Sequence, residues 1–277
     1  MRIPFTKMHG LGNDFVVLDG RESPLPAMTG AVARALADRR EGIGCDQVIV
    51  LEPSANPASG GDFRMRIFNS DGSEVEACGN ASRAVALLHG APARVETAGG
   101  LIAVEPGDKG ASVLMGEPRF DWEAIPLAYA MDTSAMPVGW PTEDGALENP
   151  MAVNIGNPHV VFFVEDALAV DLAELGPRIE NDPLFPERVN VNVASAMGPD
   201  EFVLRVWERG AGLTHACGTG ACATAVAAIR KGLAGPRVRV LQRGGPLTIE
   251  WAAGQQIRMT GPAAPVFSGT FEWDDFA

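Results

Sequence analysis

Two stretches of this chain echo one another, and any fold it adopts has to accommodate both. Residues 66–79 read RIFNSDGSEVEACG and residues 205–218 read RVWERGAGLTHACG. Aligned without a gap, each runs Arg, a β-branched aliphatic, an aromatic, Asn or Glu, a loop of equal length, then Ala-Cys-Gly. Each opens on strand-like alternation and ends by entering an Ala-rich, helix-like run. Looser matches extend the pattern. Gly12-Asn13-Asp14-Phe15-Val16-Val17 is echoed by Gly156-Asn157-Pro158-His159-Val160-Val161, an offset of 156 − 12 = 144. Gln47-Val48-Ile49-Val50 is echoed by Asn190-Val191-Asn192-Val193, an offset of 190 − 47 = 143, and the cysteines differ by 217 − 78 = 139. Three matches in one order at nearly one offset imply an internal duplication.

A chain of 277 residues suits two domains of ordinary size. The expected N-terminal half is 1–125, carrying Cys78, and the C-terminal half is 126–264, carrying Cys217, with 265–277 packing back onto the first. Periodicity predicts a helix over 26–40, a loop over 53–61, a strand over 64–68 and a helix from Cys78 to about His89, where Gly90 and Pro92 stop it. Strands follow at 94–98, 101–105 and 111–115. Residues 132–150, rich in Pro, Gly, Thr and acids, are expected to cross the surface. The run Gly220–Ile229 is small and apolar on every side, which predicts a buried helix. The fold class is α+β: two similar halves related by a pseudo-twofold axis, each a curved, mostly antiparallel sheet wrapped around a central helix.

A net charge of −13 argues against nucleic acid and anionic membranes as partners, since both would be repelled at long range. With no leader-like or spanning segment in the sequence, the expected location is the cytoplasm. The four cysteines, at 45, 78, 217 and 222, lack Cys-x-x-Cys spacing, so neither a metal nor a disulfide framework is expected. Cys222, inside the apolar helix, reads as core packing, and Cys45, in a Gly-rich turn, is open.

Cys78-Gly79-Asn80 and Cys217-Gly218-Thr219 both read as loop-to-helix junctions. There the unpaired amide N–H groups and the helix dipole favour an anion, either a thiolate or a ligand carboxylate. If the two helix starts converge on one cleft, a carboxylate could lie between them with a sulfur on each side of its α-carbon. One thiolate would remove a proton while the opposite thiol returned one, which is two-base racemisation or epimerisation and needs no cofactor.

The chain resembles the diaminopimelate epimerase family over nearly its whole length. The resemblance rests on MHGLGNDFVVLD at 8–19, GIGCDQ at 42–47, FNSDGSEVEACGN at 68–80, GNPHVV at 156–161, RVNVN at 188–192, RVWERG and ACGTGACA within 205–223, and GGPLTIEW at 244–251. It implies interconversion of LL- and meso-2,6-diaminoheptanedioate, on the route to lysine and cell-wall precursor, by a homodimer with its site between two similar halves. It further implies that Cys78 and Cys217 transfer the proton and that Gly79, Asn80, Gly218 and Thr219 cradle the reacting carboxylate. Asn13, Gln47, Asn69, Asn157, Asn190, Glu208 and Arg209 match substrate-binding positions, while His159 and Glu208 match residues that tune the cysteines. Departures occur at Ala81-Ser82-Arg83-Ala84, where the family commonly has Gly and then Cys after the Arg, and at Leu213 and His215. His215 lies two residues before Cys217 and is a candidate to perturb its pKa.

Two other readings compete. A proline or hydroxyproline racemase would leave Glu208, Arg209 and the asparagines without the distal ammonium and carboxylate they suit. A dithiol redox protein would also want two cysteines meeting in a cleft.

Overall fold

The duplication appears as a repeated strand order in the computed structural model, which describes every residue except Pro57, Ser59, Ala77, Lys109 and Asp144. The loop expected over 53–61 and the Ala-Cys-Gly of the first copy therefore lie partly outside the described residues. The chain divides into two units, Met1–Leu114 with Thr260–Ala277, and Met115–Met259.

In the first unit β1 (Arg2–Gly10) pairs antiparallel with β2 (Asn13–Asp19). Strand β2 runs parallel to β3 (Gln47–Pro53), and β3 antiparallel to β4 (Phe63–Asn69). Strand β4 pairs antiparallel with the short β5 (Glu74–Val75) and parallel with β6 (Ala93–Thr97). A meander through β7 (Gly100–Gly107) and β8 (Gly110–Leu114) follows. Helix α1 (Gly30–Ala37) connects β2 to β3, and α2 (Gly79–His89) connects β5 to β6.

The second unit opens with the hairpin β9 (Gly139–Thr142) and β10 (Gly145–Glu148). Then the order recurs. Strand β11 (Met151–Asn154) is antiparallel to β12 (Pro158–Phe163), β12 parallel to β13 (Asn190–Gly198), and β13 antiparallel to β14 (Glu201–Glu208). Strand β14 pairs antiparallel with β15 (Gly212–Leu213) and parallel with β16 (Arg237–Gln242), which turns into antiparallel β17 (Gly245–Glu250). Helix α3 (Leu172–Glu180) joins β12 to β13 and α4 (Gly218–Arg230) joins β15 to β16. Strand β18 (Arg258–Gly261) leads to β19 (Ala264–Glu272), which pairs antiparallel with β1.

Register carries the repeat to single residues. Phe15 faces Gln47 across the first parallel pair, and His159 faces Asn190 across the second. The same offsets of 144 and 143 read from the sequence separate these partners. The α+β class is thus present in both units, with α2 contacting β1, β2, β7, β8 and β19 of its unit and α4 contacting β11, β12, β13, β14, β16 and β17 of its own.

Composition explains how a helix can lie against so many strands. In α4 the residues Ala221, Cys222, Ala223, Ala225, Val226, Ala227 and Ala228 are all buried. Side chains this short let the sheet backbones come close, and overfilling such a core by a few methylenes costs about 1–3 kcal/mol. Helix α2 ends where Gly90 takes φ 77°, a left-handed conformation suited to glycine.

Two expectations need correcting, and one element was not foreseen. The helix predicted over 26–40 is only Gly30–Ala37. Thr29 caps its start by accepting from Val32 N, and the Asp38 carboxylate ends it by accepting from the Arg40 and Glu41 amides. Residues 132–150 are not just a surface crossing, because Met136, Trp140 and Leu147 enter the core of the second unit. Helix α3, which the sequence pattern did not reveal, places Leu172, Leu175 and Ile179 in that core, with Asp171 as its N-cap.

Candidate functional site

Each duplicated cysteine occupies the N-cap of its helix in extended backbone, Cys78 at φ −146° and Cys217 at φ −122°. The strand-loop-helix pattern dictates this. The chain leaves a short hairpin strand and must turn once before glycine, which has no Cβ to obstruct an approaching ligand, begins the helix. The amides of the first turn lack backbone acceptors within the helix, which suits them to bind an anion or a capping side chain.

Around Cys78 the first unit gathers Asn13 and Asn80. Cys78 Sγ is 3.8 Å from Asn13 Oδ1, and Asn80 Nδ2 donates to the same oxygen at 3.4 Å. Asn80 Oδ1 accepts from Arg83 at 2.7 Å, and Asn13 Nδ2 donates to Asp46 at 3.0 Å. A second polar pair lies on adjacent strands, where Gln47 Nε2 donates to Asn69 Oδ1 at 3.0 Å. Gln47 Oε1 is buried with no hydrogen-bond partner within the chain. A buried acceptor left empty costs about 1–3 kcal/mol, so an incoming donor such as an ammonium would be welcome there.

Cys217 is more enclosed, at 5% exposure. Its sulfur accepts from Gly220 N at 3.4 Å and lies 3.5 Å from the Thr219 hydroxyl. Glu208, at the end of β14, is hydrogen-bonded to Cys217 and accepts from Thr214 Oγ1. Burial pushes the Glu208 carboxyl up from its ordinary value, partly opposed by the bonds from Thr214 and Cys217. Burial likewise holds the Cys217 thiol well above its usual range, and the Glu208 charge raises it further, while Thr219 and Gly220 act in the opposite direction. His215 is exposed, and its carbonyl accepts from Gly244 N at 2.8 Å. The charge that perturbs Cys217 most strongly is that of Glu208.

His159 is fully buried, and the cost of charging it there pushes its pKa down to about 3. Its Nδ1 lies 3.0 Å from Asn192 Nδ2, which also donates to Val160 O at 2.9 Å. Asn192 thus presents its amino group, Nδ1 is the acceptor, and Nε2–H donates to Asn157 Oδ1 at 2.9 Å. A neutral imidazole in this tautomer adds no charge to a cysteine. It orients Asn157, whose Nδ2 remains available to a ligand.

Asn190 is buried and donates to Pro158 O at 2.8 Å, while its Oδ1 accepts from Arg209 N at 2.9 Å. It thereby fixes the turn that displays Arg209. The exposed Arg209 guanidinium gives one bond, from NH1 to Glu187 O at 3.0 Å, and retains donors on its other nitrogens. Gly218 and Thr219 open α4 as the sequence pattern implies.

Several residues of this region escaped the sequence reading. Gln242 Oε1 accepts from Cys217 N at 2.7 Å, yet Gln242 Nε2 is buried without a partner in the chain. Asn192 Oδ1 is buried and equally without a partner, and a Cβ added to Gly220 would stand 2.7 Å from it. Only glycine fits there. Asp46, Arg83 and Thr214 also support site residues; Asp46 lies within the GIGCDQ motif and Arg83 just after Cys78-Gly79-Asn80, but neither was singled out for a role. Cys45, left open by the sequence, packs in the core beneath α1, where burial raises its thiol to about 11. Cys222 is buried within α4.

A family model described as diaminopimelate epimerase matches residues 5–121 and 151–266. A diaminopimelate epimerase of Erythrobacter litoralis is 68% identical over 277 residues, spanning the full length of both chains. That of Zymomonas mobilis is 52% identical, also over the full length of both. Among solved structures, a hydroxyproline epimerase from Agrobacterium vitis superposes with a TM-score of 0.64 at 16% identity, covering 97% of this chain and 92% of that one. A methylitaconate-delta-isomerase has a TM-score of 0.64 at 16% identity, covering 100% and 97%. At such identities the two structures establish a shared fold and no more.

Proposed function

This chain belongs to the diaminopimelate epimerase family, and on that premise we propose that it interconverts LL- and meso-2,6-diaminoheptanedioate without a cofactor, Cys78 and Cys217 exchanging the α-proton from opposite faces. The observation that carries this reading is the repeated junction: a cysteine at the N-cap of a helix, at the same step of the same strand order, in both units. Such a pair supplies two sulfurs of similar chemistry and two sets of first-turn amides for one carboxylate.

The mechanism follows from what surrounds each sulfur. With no substrate bound, burial and the Glu208 charge favour the protonated Cys217 thiol. A substrate ammonium beside Glu208 would offset that charge and lower the barrier to thiolate formation, so that substrate binding itself readies the base. Gly220 N–H and the Thr219 hydroxyl then stabilise the thiolate. The carboxylate on the reacting carbon sits against the amides of Gly79, Asn80, Gly218 and Thr219, where helix dipoles stabilise the negative charge that builds as the α-proton leaves. At the distal end the Glu208 carboxylate faces an ammonium and Arg209 grips a carboxylate, while Gln47 Oε1, a buried acceptor with no partner, suits a donor of the substrate. Asn13, Asn69, Asn157 and Asn190 hold these groups in place.

A proline-type racemase would give Arg209 and Gln47 nothing to bind, and a dithiol redox protein would have no use for Glu208. The same reading places the protein in the cytoplasm, in lysine and cell-wall precursor synthesis, as a homodimer. Exposed Val266 and Phe267 on β19 support a second copy as a partner. Among the described residues no helix is long and apolar enough to cross a membrane.

The test is incubation of LL-2,6-diaminoheptanedioate with reduced protein, following the appearance of the meso isomer. Cys78→Ala and Cys217→Ala should each lower inversion by on the order of 10²–10⁴-fold or more, the usual contribution of a proton-transfer group, while melting like the parent. Full turnover in either variant would refute the assignment.

A further inference from the structure

The chain of amides behind Cys78 has charged groups at both ends that match its polarity. Asp46 accepts hydrogen bonds and cannot donate them, so Asn13 must turn its amino group toward it, at 3.0 Å. Arg83 donates and cannot accept, so Asn80 must turn its carbonyl toward it, at 2.7 Å. These independent constraints agree. They leave Asn80 Nδ2 facing Asn13 Oδ1 at 3.4 Å, and they leave Asn13 Oδ1 facing Cys78 Sγ at 3.8 Å.

Both ends are themselves anchored. Arg83 is fully buried and also donates to Gly79 O at 3.3 Å, the residue beginning α2. Asp46 Oδ1 accepts from Arg39 at 2.7 Å, Asp46 Oδ2 accepts from Asp14 N at 3.1 Å, and Asp46 N donates to Asp14 Oδ1 at 3.0 Å. Asp14 is in turn paired with Arg39 at 2.7 Å and with Lys7 at 2.5 Å. Two cations, Lys7 and Arg39, thus face two carboxylates, Asp14 and Asp46, and the Asp46 oxygens are held in place as acceptors.

We propose that Asp46 and Arg83 are positioning residues: together they lock the Asn13–Asn80 amide pair in one orientation, so that Cys78 meets a carbonyl oxygen and not an N–H. An acceptor at that place gives the S–H of Cys78 a partner and favours the thiol, the form Cys78 needs in the half-cycle in which it is the proton donor. This deepens the proposed epimerase reading and rests on it for its kinetic consequence, although the amide orientation stands independently.

The experiment is a double-mutant cycle joined to a spectrum. Asp46→Asn replaces an acceptor-only group with one that can present either N–H or oxygen, so Asn13 is no longer held. The expected result is a fall of at least about tenfold in kcat/KM alone, and of less than about twofold in an Asn13→Ala background. In the side-chain amide region of a ¹⁵N-labelled spectrum, the Asn13 pair, assigned by its loss in Asn13→Ala, should show one proton displaced downfield by the carboxylate in the parent and returned upfield in Asp46→Asn. An equal loss in both backgrounds, or an Asn13 pair already unperturbed in the parent, would overturn the proposal. The parent spectrum decides the orientation even if Asp46→Asn fails to fold. A parent that does not invert LL-2,6-diaminoheptanedioate would sink the epimerase reading, and the spectrum would still decide the orientation.

Discussion

The two cysteine junctions share a backbone and differ in almost everything around it. Cys78 is half-buried, its side chain forms no capping bond, and the carboxamide of Asn13, joined to that of Asn80, lies beside it. Cys217 is buried, caps Gly220 and is hydrogen-bonded to a carboxyl group. Duplication accounts for the shared geometry of the junction, while at Cys217 burial, Glu208, Thr219 and Gly220 set the proton affinity of the sulfur. A racemase acting on two mirror-related substrates could keep identical surroundings. On the proposed reading, a substrate with a distinguishable far end gives reason for Glu208 and Arg209 to stand beside Cys217.

The sharpest way to break this comparison is to remove the acid from the Cys217 side. Glu208→Gln deletes a charge that raises the Cys217 thiol, so alkylation of Cys217 should shift to lower pH while that of Cys78 stays in place. In the same variant kcat/KM should drop by about 10²–10³-fold, because the proposed ammonium partner is lost as well. If both cysteines shifted together, or neither did, the asymmetry would not reside in Glu208.

A smaller effect concerns His159. Its folded pKa of about 3 lies below the ordinary 6.5, so the unfolded chain binds the extra proton first as pH falls. The stability contributed by keeping it neutral is complete above about pH 6.5 and is lost as pH drops toward 3, at roughly 1.4 kcal/mol per pH unit. Melting curves of the parent should therefore steepen their decline below pH 6.5, and His159→Gln should flatten that part of the profile. A decline identical in both proteins would mean that His159 is not the group responsible.

Much of the fold was legible because the repeat is written in residues with strong local meaning. Gly90 marked the end of α2, and the small apolar run from Gly220 marked α4 as a buried helix. The register of the two parallel strand pairs was already contained in the offsets of 144 and 143. Helix α3 was hidden because Gly176 and Pro177 interrupt its pattern, and it forms by packing on the sheet, with Gly176 so close to Trp207 that a Cβ would stand 2.4 Å from the ring. The candidate site was legible where motif and chemistry coincided, at the cysteines, Glu208 and Arg209. The roles of Gln242 and Asp46 were hidden, since each reaches its partner across a long sequence separation, Gln242 to the Cys217 amide and Asp46 to Asn13.

The central claim is that two different groups donate and accept the α-proton, and isotope partitioning at low conversion tests it most directly. With LL-2,6-diaminoheptanedioate in deuterated water, the account predicts that the meso product carries a single solvent deuteron at its inverted centre from the first turnovers, while recovered substrate remains unlabelled. Product that retains the original α-proton, or substrate that gains deuterium as fast as product forms, would mean that one group works on both faces and would contradict it.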